Sequence, residues 1–321
     1  MKNILSRPTL KGVKPALILV PAFFLILPLF ITEGWISLVI EILILSLAAT
    51  GLNLMLGYTG MVSFGPAGFY AVGAYTTALV LMKTKLPFVL AFVAGPILTA
   101  LLAVCIGWFC VRLTHVYFAL LTLAFSQIIF TIIHGWYSFT KGDDGIVGVP
   151  IPDFLASIYN FYYFNLIIIA GCIWFLWRII KSPFGKTLQA IRENPQRALS
   201  VGINVHRYQL ATFVLSGLFL GIAGTLFCTF SKNVFANYAH WLKSTEMLVV
   251  CLLGGINVFW GPFVGSFIYQ FLDNFISGYT LYWPLVLGTT IILLLLFLRG
   301  GIAGYVSNRI SLKQKTNKQV N

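Results

Sequence analysis

Residues 51–75 read GLNLMLGYTGMVSFGPAGFYAVGAY, a stretch in which a glycine-rich interruption separates two apolar runs. The interruption extends from Gly57 to Gly68 and includes Pro66. Because glycine and proline both disfavour a continuous helix, the pattern predicts that one apolar helix ends here and that a second begins. Irregular backbone at membrane depth is tolerated only where protein buries it or where it lines a cavity.

The composition around this stretch indicates that most of the chain is solvated by lipid. Of the 321 residues, 59% are apolar and only 9% are charged, and the mean hydropathy is +0.92. An ordinary soluble domain has about 25% charged residues. We therefore predict a polytopic integral membrane protein rather than a water-soluble domain.

Nine apolar segments predict the architecture. A spanning helix needs about 20 apolar residues, whereas the strands of a membrane barrel alternate apolar and polar residues over about ten. Apolar and polar residues do not alternate in these segments, so we predict an all-α polytopic protein with about eight to ten transmembrane helices. The whole chain, 1–321, is predicted to form a single transmembrane domain, embedded over 16–298. The segments are 16–32, 35–56, 67–82, 86–111, 113–140, 154–177, 208–231, 247–272 and 274–298.

The net charge of +13 is concentrated beside the apolar segments. Basic residues cluster in the N-terminal tail, in 178–207 and in the C-terminal tail 299–321, as the positive-inside rule predicts for cytoplasmic segments. The acid-rich loop 141–153 is accordingly predicted to lie outside. A basic groove with stacking aromatic residues is missing, which argues against nucleic acid as a partner and leaves the surrounding lipid.

A strict count of crossings conflicts with the basic C-terminal tail. Three crossings after residue 207 would place 299–321 outside, so one of the last three segments is predicted not to cross. The best candidate is 247–272, because Gly254-Gly255 and Gly261-Pro262 interrupt it and favour a re-entrant hairpin of two half-helices. The tripeptides Phe64-Gly65-Pro66 and Trp260-Gly261-Pro262 also indicate an internal repeat.

Two interrupted segments in corresponding halves are typical of a translocation pathway. The alternative is that their glycines only let helices pack closely. Thr122 and Ser126 share one helical face, and for them ordinary interhelical hydrogen bonds are an equally good interpretation. The candidate pathway residues are Asn53, Ser63, Gly65, Thr122, Ser126, Gln127, Gly254 and Gly255.

No pattern in the sequence indicates catalysis, a cofactor or a metal. The stretch Phe184-Gly185-Lys186-Thr187 resembles the end of a nucleotide-binding loop, but Ile180 stands where that loop needs a glycine. Glu41 is interpreted as the only acid well inside a span, which argues against an ion-driven carrier and implies an energy source on another chain. Its expected role is to pair or to face a partner subunit, with a proton relay as the alternative.

Residues 182–205 are predicted to form two short helices on the cytoplasmic face. Ser182-Pro183 and Asn194-Pro195 are helix start signals, and Gly202 is a helix end signal. Phe184, Leu188 and Ile191 recur on one face of the first helix. Two capped helices favour a docking element for a cytosolic partner, and the alternative is a basic loop lying on anionic lipid.

The chain resembles the bacterial branched-chain amino acid ABC permeases of the LivM/LivH kind, and it is closer to the LivM branch. The resemblance covers roughly residues 35–305. It is carried by 51–60, by 63–69 with Gly73-Ala74-Tyr75, by 117–125, by Gly142-Asp143-Asp144-Gly145-Ile146 and by 190–194 with Gly202-Ile203-Asn204.

The resemblance implies a partnership with a homologous permease, two cytosolic ATPases and an extracytoplasmic solute-binding protein, in the bacterial inner membrane. It also implies that 183–205 couples to the ATPase, with Glu193 and Gly202 in the places of the family's acid and glycine. Pro66 departs from the histidine of many members. Urea and amide permeases share most of these motifs, and a self-sufficient carrier and a structural membrane anchor are the competing classes of function. The candidate coupling residues are Arg192, Glu193, Asn194, Arg197 and Gly202.

Overall fold

The computed structural model describes residues 24–25, 27–84, 86–297 and 300–304, and these residues are mostly helical. A π-helix over Leu54–Thr59 continues the first helix, and two-residue strands β1 (Ile146–Val147) and β2 (Asn233–Val234) pair antiparallel. The helices of the described part are α1 Glu33–Asn53, α2 Pro66–Lys83, α3 Phe88–Cys110, α4 His115–Gly135, α5 Tyr137–Thr140, α6 Ile158–Lys181, α7 Pro183–Glu193, α8 Pro195–Ser200, α9 Val205–Ser231, α10 Trp241–Gly254, α11 Gly261–Ser277 and α12 Trp283–Phe297.

Within the described ranges, six helical stretches are long and apolar enough to cross a membrane. The prediction of an all-helical polytopic protein is confirmed, whereas its count of eight to ten spans is not. The predicted segment 16–32 lies largely outside the described residues, and α2 is not among the six stretches. The six are Glu33–Thr59, Phe88–Cys110, His115–Gly135, Ile158–Lys181, Val205–Ser231 and Trp283–Gly304.

The centre of the bundle is formed by α1, α2 and α9. Along α1, Ile36, Ile40 and Leu47 are fully buried. Glycines bring α2 and α9 close, since a Cβ on Gly73 or Gly224 would clash with the backbone of the other helix. The outer helices instead expose apolar side chains, which is the surface that lipid requires. Examples are Leu101 (58% exposed), Ile167 (71%) and Phe297 (83%).

The bundle has two distinct ends. The short helices α7 and α8 lie at one end, and the β1–β2 ribbon lies at the other, because α9 runs from Val205 beside α8 to Ser231 beside β2. His206 Nδ1 lies 3.2 Å from the carbonyl oxygen of Val111, so the turn between α3 and α4 belongs to the α7 end. The acidic loop 141–153 therefore lies opposite the basic segment 178–207.

The interruption predicted within 247–272 is present. Helix α10 ends at Gly254 and α11 begins at Gly261, and the two pack antiparallel around the intervening turn. The contact is tight, since a Cβ on Gly265 would clash with the carbonyl oxygen of Val250. The predicted boundary at residue 274 is wrong, because α11 continues to Ser277 and α12 starts only at Trp283.

Candidate functional site

The first interruption begins as a widened helix. The π-helix over Leu54–Thr59 adds residues to the turn after Asn53, and such turns are frequent at functional sites. Gly60 ends it with a φ of +77°, a left-handed conformation that glycine adopts without strain. Residues 61–65 run without regular structure, and Pro66 starts α2 in the first-turn position that proline favours.

Neighbouring side chains hold this irregular backbone. Thr122 Oγ1 of α4 accepts a hydrogen bond from the backbone N–H of Phe64 (3.2 Å) and donates one to the carbonyl oxygen of Ala119 (2.9 Å). Ser244 Oγ of α10 accepts one from the N–H of Ala67 (3.0 Å). Both hydroxyls are buried, so these bonds replace the ones that a continuous helix would have made.

Ser63 and Ser126 lie beside the same irregular backbone. Ser63 is fully buried, and its Oγ accepts the N–H of Gly65 (3.2 Å). Ser126 is buried against Gly68, where a Cβ would lie 3.2 Å from its Oγ. Ser126 Oγ and Gln127 Oε1 are both buried without a hydrogen-bond partner among the described residues.

The two interruptions meet. A Cβ on Gly57 would clash with the carbonyl oxygen of Ile256, in the turn between α10 and α11, and with Oδ1 of Asn53. Asn53 is 1% exposed, and neither atom of its amide finds a partner within the described part of the chain. The structure thus brings Asn53 to the turn that follows Gly254 and Gly255. The group around Thr122 contacts the later part of the first interruption instead.

The coupling candidates lie on the two short helices at the α7 end. Leu188 and Ile191 are fully buried, as the predicted apolar face requires. The polar residues Glu193, Asn194 and Arg197 are exposed, and Asn194 Oδ1 accepts the N–H of Arg197 (2.9 Å) as the predicted helix cap. Helix α8 ends at Ser200, slightly before Gly202, which has a φ of +85°.

One of these residues reaches the first interruption directly. The guanidinium Nη1 of Arg192 donates a hydrogen bond to the carbonyl oxygen of Gly57. A Cβ on Gly60 would lie 3.1 Å from Cγ of Arg192, so the side chain also packs along the end of the π-helix. The sequence motif placed Arg192 in the coupling segment, but nothing in the sequence indicated this contact.

A second polar group was missed by sequence analysis. Glu41 Oε2 accepts a hydrogen bond from Gln270 Nε2 (2.6 Å), and Lys243 Nζ lies 2.8 Å from both carboxylate oxygens of Glu246. These four residues and Asp273 line a cavity of about 190 Å³. Among the described residues, Glu41 is the only acid well inside a helical stretch long and apolar enough to cross a membrane, as predicted. Its polar neighbours were not predicted, because they lie where α10 and α11 extend beyond the apolar run 247–272.

The acidic loop 141–153, at the end of the bundle opposite α7, packs against the β1–β2 ribbon and the residues after it. A Cβ on Gly145 would lie 2.6 Å from Cδ1 of Phe235, so the Asp-Asp-Gly-Ile stretch approaches the residues after β2 closely. Tyr137 donates a hydrogen bond to Asp144 Oδ2 (2.5 Å), and the loss of this bond on ionisation raises the pKa of Tyr137 above its ordinary value.

Comparisons with known proteins agree with this architecture. The model of the family "Branched-chain amino acid transport system / permease component" matches residues 34–298. The high-affinity branched-chain amino acid permease LivM of Escherichia coli is 24% identical over 318 residues, covering 91% of this chain and 75% of that protein. A probable LivH of Methanocaldococcus jannaschii is 27% identical over 251 residues, covering 74% and 78%.

A tyrosine transport system permease of Clostridioides difficile is 25% identical over 310 residues, covering 90% of this chain and 96% of that protein. No solved structure matches the chain. The family match spans the interruptions at 54–65 and 255–260, the short helices at the α7 end and the ribbon at the other end. The chain therefore belongs to the family of branched-chain amino acid transport system permease components.

Proposed function

We propose that this chain is a membrane permease subunit of an ABC importer for branched-chain amino acids, located in the bacterial inner membrane and itself without enzymatic activity. A homologous permease would complete the pathway, two cytosolic ATPases would supply energy, and an extracytoplasmic binding protein would deliver substrate. Support comes from the family match and from LivM and LivH relatives. The structural observation that carries the proposal is the hydrogen bond from Arg192 to Gly57.

Coupling would run through this bond. Helix α7 is exposed on the side that carries Glu193, where a cytosolic partner can dock, and it is anchored on the other side by Leu188 and Ile191. A displacement of α7 by the ATPase would pull on the carbonyl of Gly57 and so on the π-helix. Gly57 in turn contacts the turn at Ile256, so the first interruption would move against the second.

The substrate pathway is proposed to pass the point where the two interruptions meet and to be closed there between transport steps. Asn53 would line it together with Gly254 and Gly255, because its buried amide has no partner within the described residues and remains available to water or substrate. Ser126 and Gln127 are further lining candidates for the same reason. The group of Ser63, Gly65 and Thr122 would support the irregular backbone.

A topology of eight crossings and one re-entrant hairpin is proposed for the single domain 1–321, with both termini in the cytoplasm. A Cβ on Gly255 would lie 2.8 Å from the carbonyl oxygen of Gly300, so the hairpin turn adjoins the chain just beyond α12. Because the turn also contacts Gly57, which Arg192 binds, the segment 300–304 lies towards the α7 end. Single cysteines at 272–280 should react only with reagents added outside, and reaction from the cytoplasm would contradict the hairpin.

The proposed function is tested by measuring leucine uptake in a strain from which the genes of this transporter have been deleted. Cells expressing this chain with its partner subunits should accumulate labelled leucine, and the substitution Glu193→Ala should abolish uptake while the chain still assembles in the membrane. Tyrosine, urea and short amides serve as competing substrates, the first because a tyrosine permease is a relative. Accumulation of urea in preference to leucine would contradict the proposal, and uptake without the ATPases would indicate a self-sufficient carrier.

A further inference from the structure

A cavity of about 470 Å³ lies between the end of α3 and the start of α9, at the same end of the bundle as α7. Its lining comes from the last turn of α3 with the two residues that follow, and from the cap and first turns of α9. The two helices touch at its inner limit, since a Cβ on Gly107 would lie 2.8 Å from Cδ1 of Leu210 and of Phe213. The volume is within the range of about 300–1,000 Å³ that is typical of ligand sites.

Two guanidinium groups, those of Arg112 and Arg207, give this cavity its charge. No acidic residue from the described part of the chain lines it, and neither guanidinium forms an ion pair there. Arg112 lies over the ring of Trp108, with 4.7 Å from Cζ to the ring centre, and the cap bond of Arg207 to Asn204 uses only its backbone N–H. An anion between the two arginines would offset their repulsion and accept hydrogen bonds from their N–H groups.

The pairing of a tryptophan with a basic residue places the cavity at the depth of the lipid headgroups. Tryptophan is enriched where a membrane meets water, and arginine and lysine extend from helix ends to the same level. At this end of the bundle such pairs form at three places, each within one helical turn: Arg112 over Trp108, Arg178 over Trp174 and Lys181 over Trp177. The ends of α3 and α6 therefore both lie at the membrane surface.

The face of α3 that leads to the cavity is apolar and exposed. Leu101, Val104 and Trp108 follow one another at helical spacing, all three are exposed, and Arg112 continues the same face. Leu101 lies about 10 Å below Trp108 along the helix, a depth at which it meets acyl chains rather than a soluble protein. A basic cavity at the top of an apolar, lipid-facing stripe matches a phospholipid better than it matches the acidic surface of a cytosolic partner.

We propose that this cavity binds the headgroup of an anionic phospholipid. The phosphate lies between Arg112 and Arg207, which donate charge-assisted hydrogen bonds to its oxygens, and the acyl chains lie along Leu101 and Val104. Basic pockets between membrane helices bind anionic headgroups in this way. The site is independent of the transported substrate and goes beyond the proposed import function.

A headgroup bound there braces the base of the short helices. Tyr208 follows Arg207 directly and stacks on Phe184 of α7, with ring centres 5.4 Å apart. On the other side, Nδ1 of His206 donates a hydrogen bond to the carbonyl oxygen of Val111 (3.2 Å) in the turn between α3 and α4. A phosphate that bridges Arg112 and Arg207 therefore links this turn to the junction of α7 and α9. Because a ligand of the folded state stabilises it, anionic lipid should raise the thermal unfolding midpoint.

The test is quenching of Trp108 fluorescence by lipids with brominated acyl chains. The full chain is purified with its partner subunits in a neutral detergent and titrated with brominated phosphatidylglycerol or brominated phosphatidylcholine. The difference between the unmodified chain and Trp108→Phe isolates the signal of Trp108, which lines the cavity. Each arginine at a membrane surface strengthens the binding of anionic lipid about fivefold, so phosphatidylglycerol should quench at a concentration about tenfold lower or less. Equal quenching by the two lipids would overturn the proposal. Quenching by neither lipid would show that a protein covers the cavity and would overturn it as well.

Charge-neutral variants locate the phosphate. Arg112→Gln and Arg207→Gln should each reduce the preference of Trp108 for phosphatidylglycerol about fivefold. Arg178→Gln is the matched control, because Arg178 lies over Trp174 at the same end of the bundle but does not line the cavity, and it should keep the preference. An equal loss in the control would mean that the surface charge acts as a whole, without a site. Inorganic phosphate and glycerol phosphate in excess should leave the quenching unchanged, and relief of quenching by either would show that the ligand is a soluble phosphate rather than a lipid.

Thermal unfolding provides a second measurement that also reports on folding. In phosphatidylcholine the variants should unfold at the same midpoint as the unmodified chain, because Arg112 and Arg207 are exposed and form no ion pair with a described residue. Phosphatidylglycerol should raise the midpoint of the unmodified chain and of Arg178→Gln, and it should raise that of the double variant Arg112→Gln/Arg207→Gln less. An equal rise in the double variant would overturn the assignment of the two arginines.

Discussion

The two interruptions of the bundle are similar in sequence but are held in different ways. The first, residues 54–65, is fixed by side chains of other elements, namely Thr122, Ser244 and Arg192. The second, 255–260, is fixed by close approach of backbones, since a Cβ on Gly254 would clash with the carbonyl oxygen of Gly261. A hydrogen bond to a side chain can be exchanged when an element moves, whereas a packed glycine contact cannot.

This difference assigns distinct roles to the two halves. The second interruption is packed backbone to backbone, so we expect it to act as a rigid hairpin, and its turn contacts Gly57 through Ile256. The first combines a π-helix with a bond to the exposed helix α7, and it is the part that an external partner can move. In the proposed transport cycle the hairpin serves as a fixed wall, and the first interruption moves against it.

The largest expected effect comes from filling the glycine contact of the hairpin. Gly254→Ala would push the backbones of α10 and α11 apart, because its Cβ cannot coexist with the carbonyl oxygen of Gly261. Overpacking of a close contact costs about 1–3 kcal/mol and occasionally more, and we expect the upper end since backbone must move. The measurement is the thermal unfolding midpoint of the purified permease. Gly288→Ala is the matched control, because nothing lies within 4 Å of its Cβ. Equal midpoints would contradict a rigid hairpin.

The next effect concerns the bond between α7 and the first interruption. Arg192→Ala should reduce leucine uptake about tenfold or more, the effect expected for a hydrogen bond from a charged donor, while the transporter assembles normally. ATP hydrolysis should continue, so the ratio of ATP consumed to leucine imported rises. Arg178→Ala removes a nearby arginine that lies over the ring of Trp174 and should leave this ratio unchanged. An unchanged ratio in Arg192→Ala would show that coupling takes another route.

How far the sequence alone predicts these features depends on the range of the interactions. Both interruptions are local signals of glycine and proline and were predicted, as were the buried face of α7 and the cap at Asn194. The contact of Arg192 with Gly57 joins residues 135 positions apart, and no periodicity reports such a pair. The charged cavity was missed because Glu246 and Asp273 fall just outside the apolar run 247–272, where they look like flanking residues.

A smaller effect is expected from the bond that supports the first interruption. Thr122→Val keeps the shape of the side chain and removes the acceptor for the N–H of Phe64. The unpaired N–H should lower the free energy of unfolding by about 1–3 kcal/mol and so lower the thermal midpoint of the permease. Thr131→Val is its control on the same helix, since Thr131 is exposed and bonds only within α4. An equal shift in both variants would mean that the bond does not hold the interruption.

The smallest effect on stability is expected where the interruptions meet. Asn53→Leu replaces a buried amide that has no partner among the described residues by an apolar group of similar shape. Such a replacement is nearly neutral or stabilising, so the thermal midpoint should stay equal or rise, opposite in sign to Thr122→Val. If Asn53 lines the pathway, leucine uptake should nevertheless fall. A loss of stability without a loss of uptake would instead show that the Asn53 amide makes structural bonds. The first interruption would then be held by side chains from the residue that precedes it onwards.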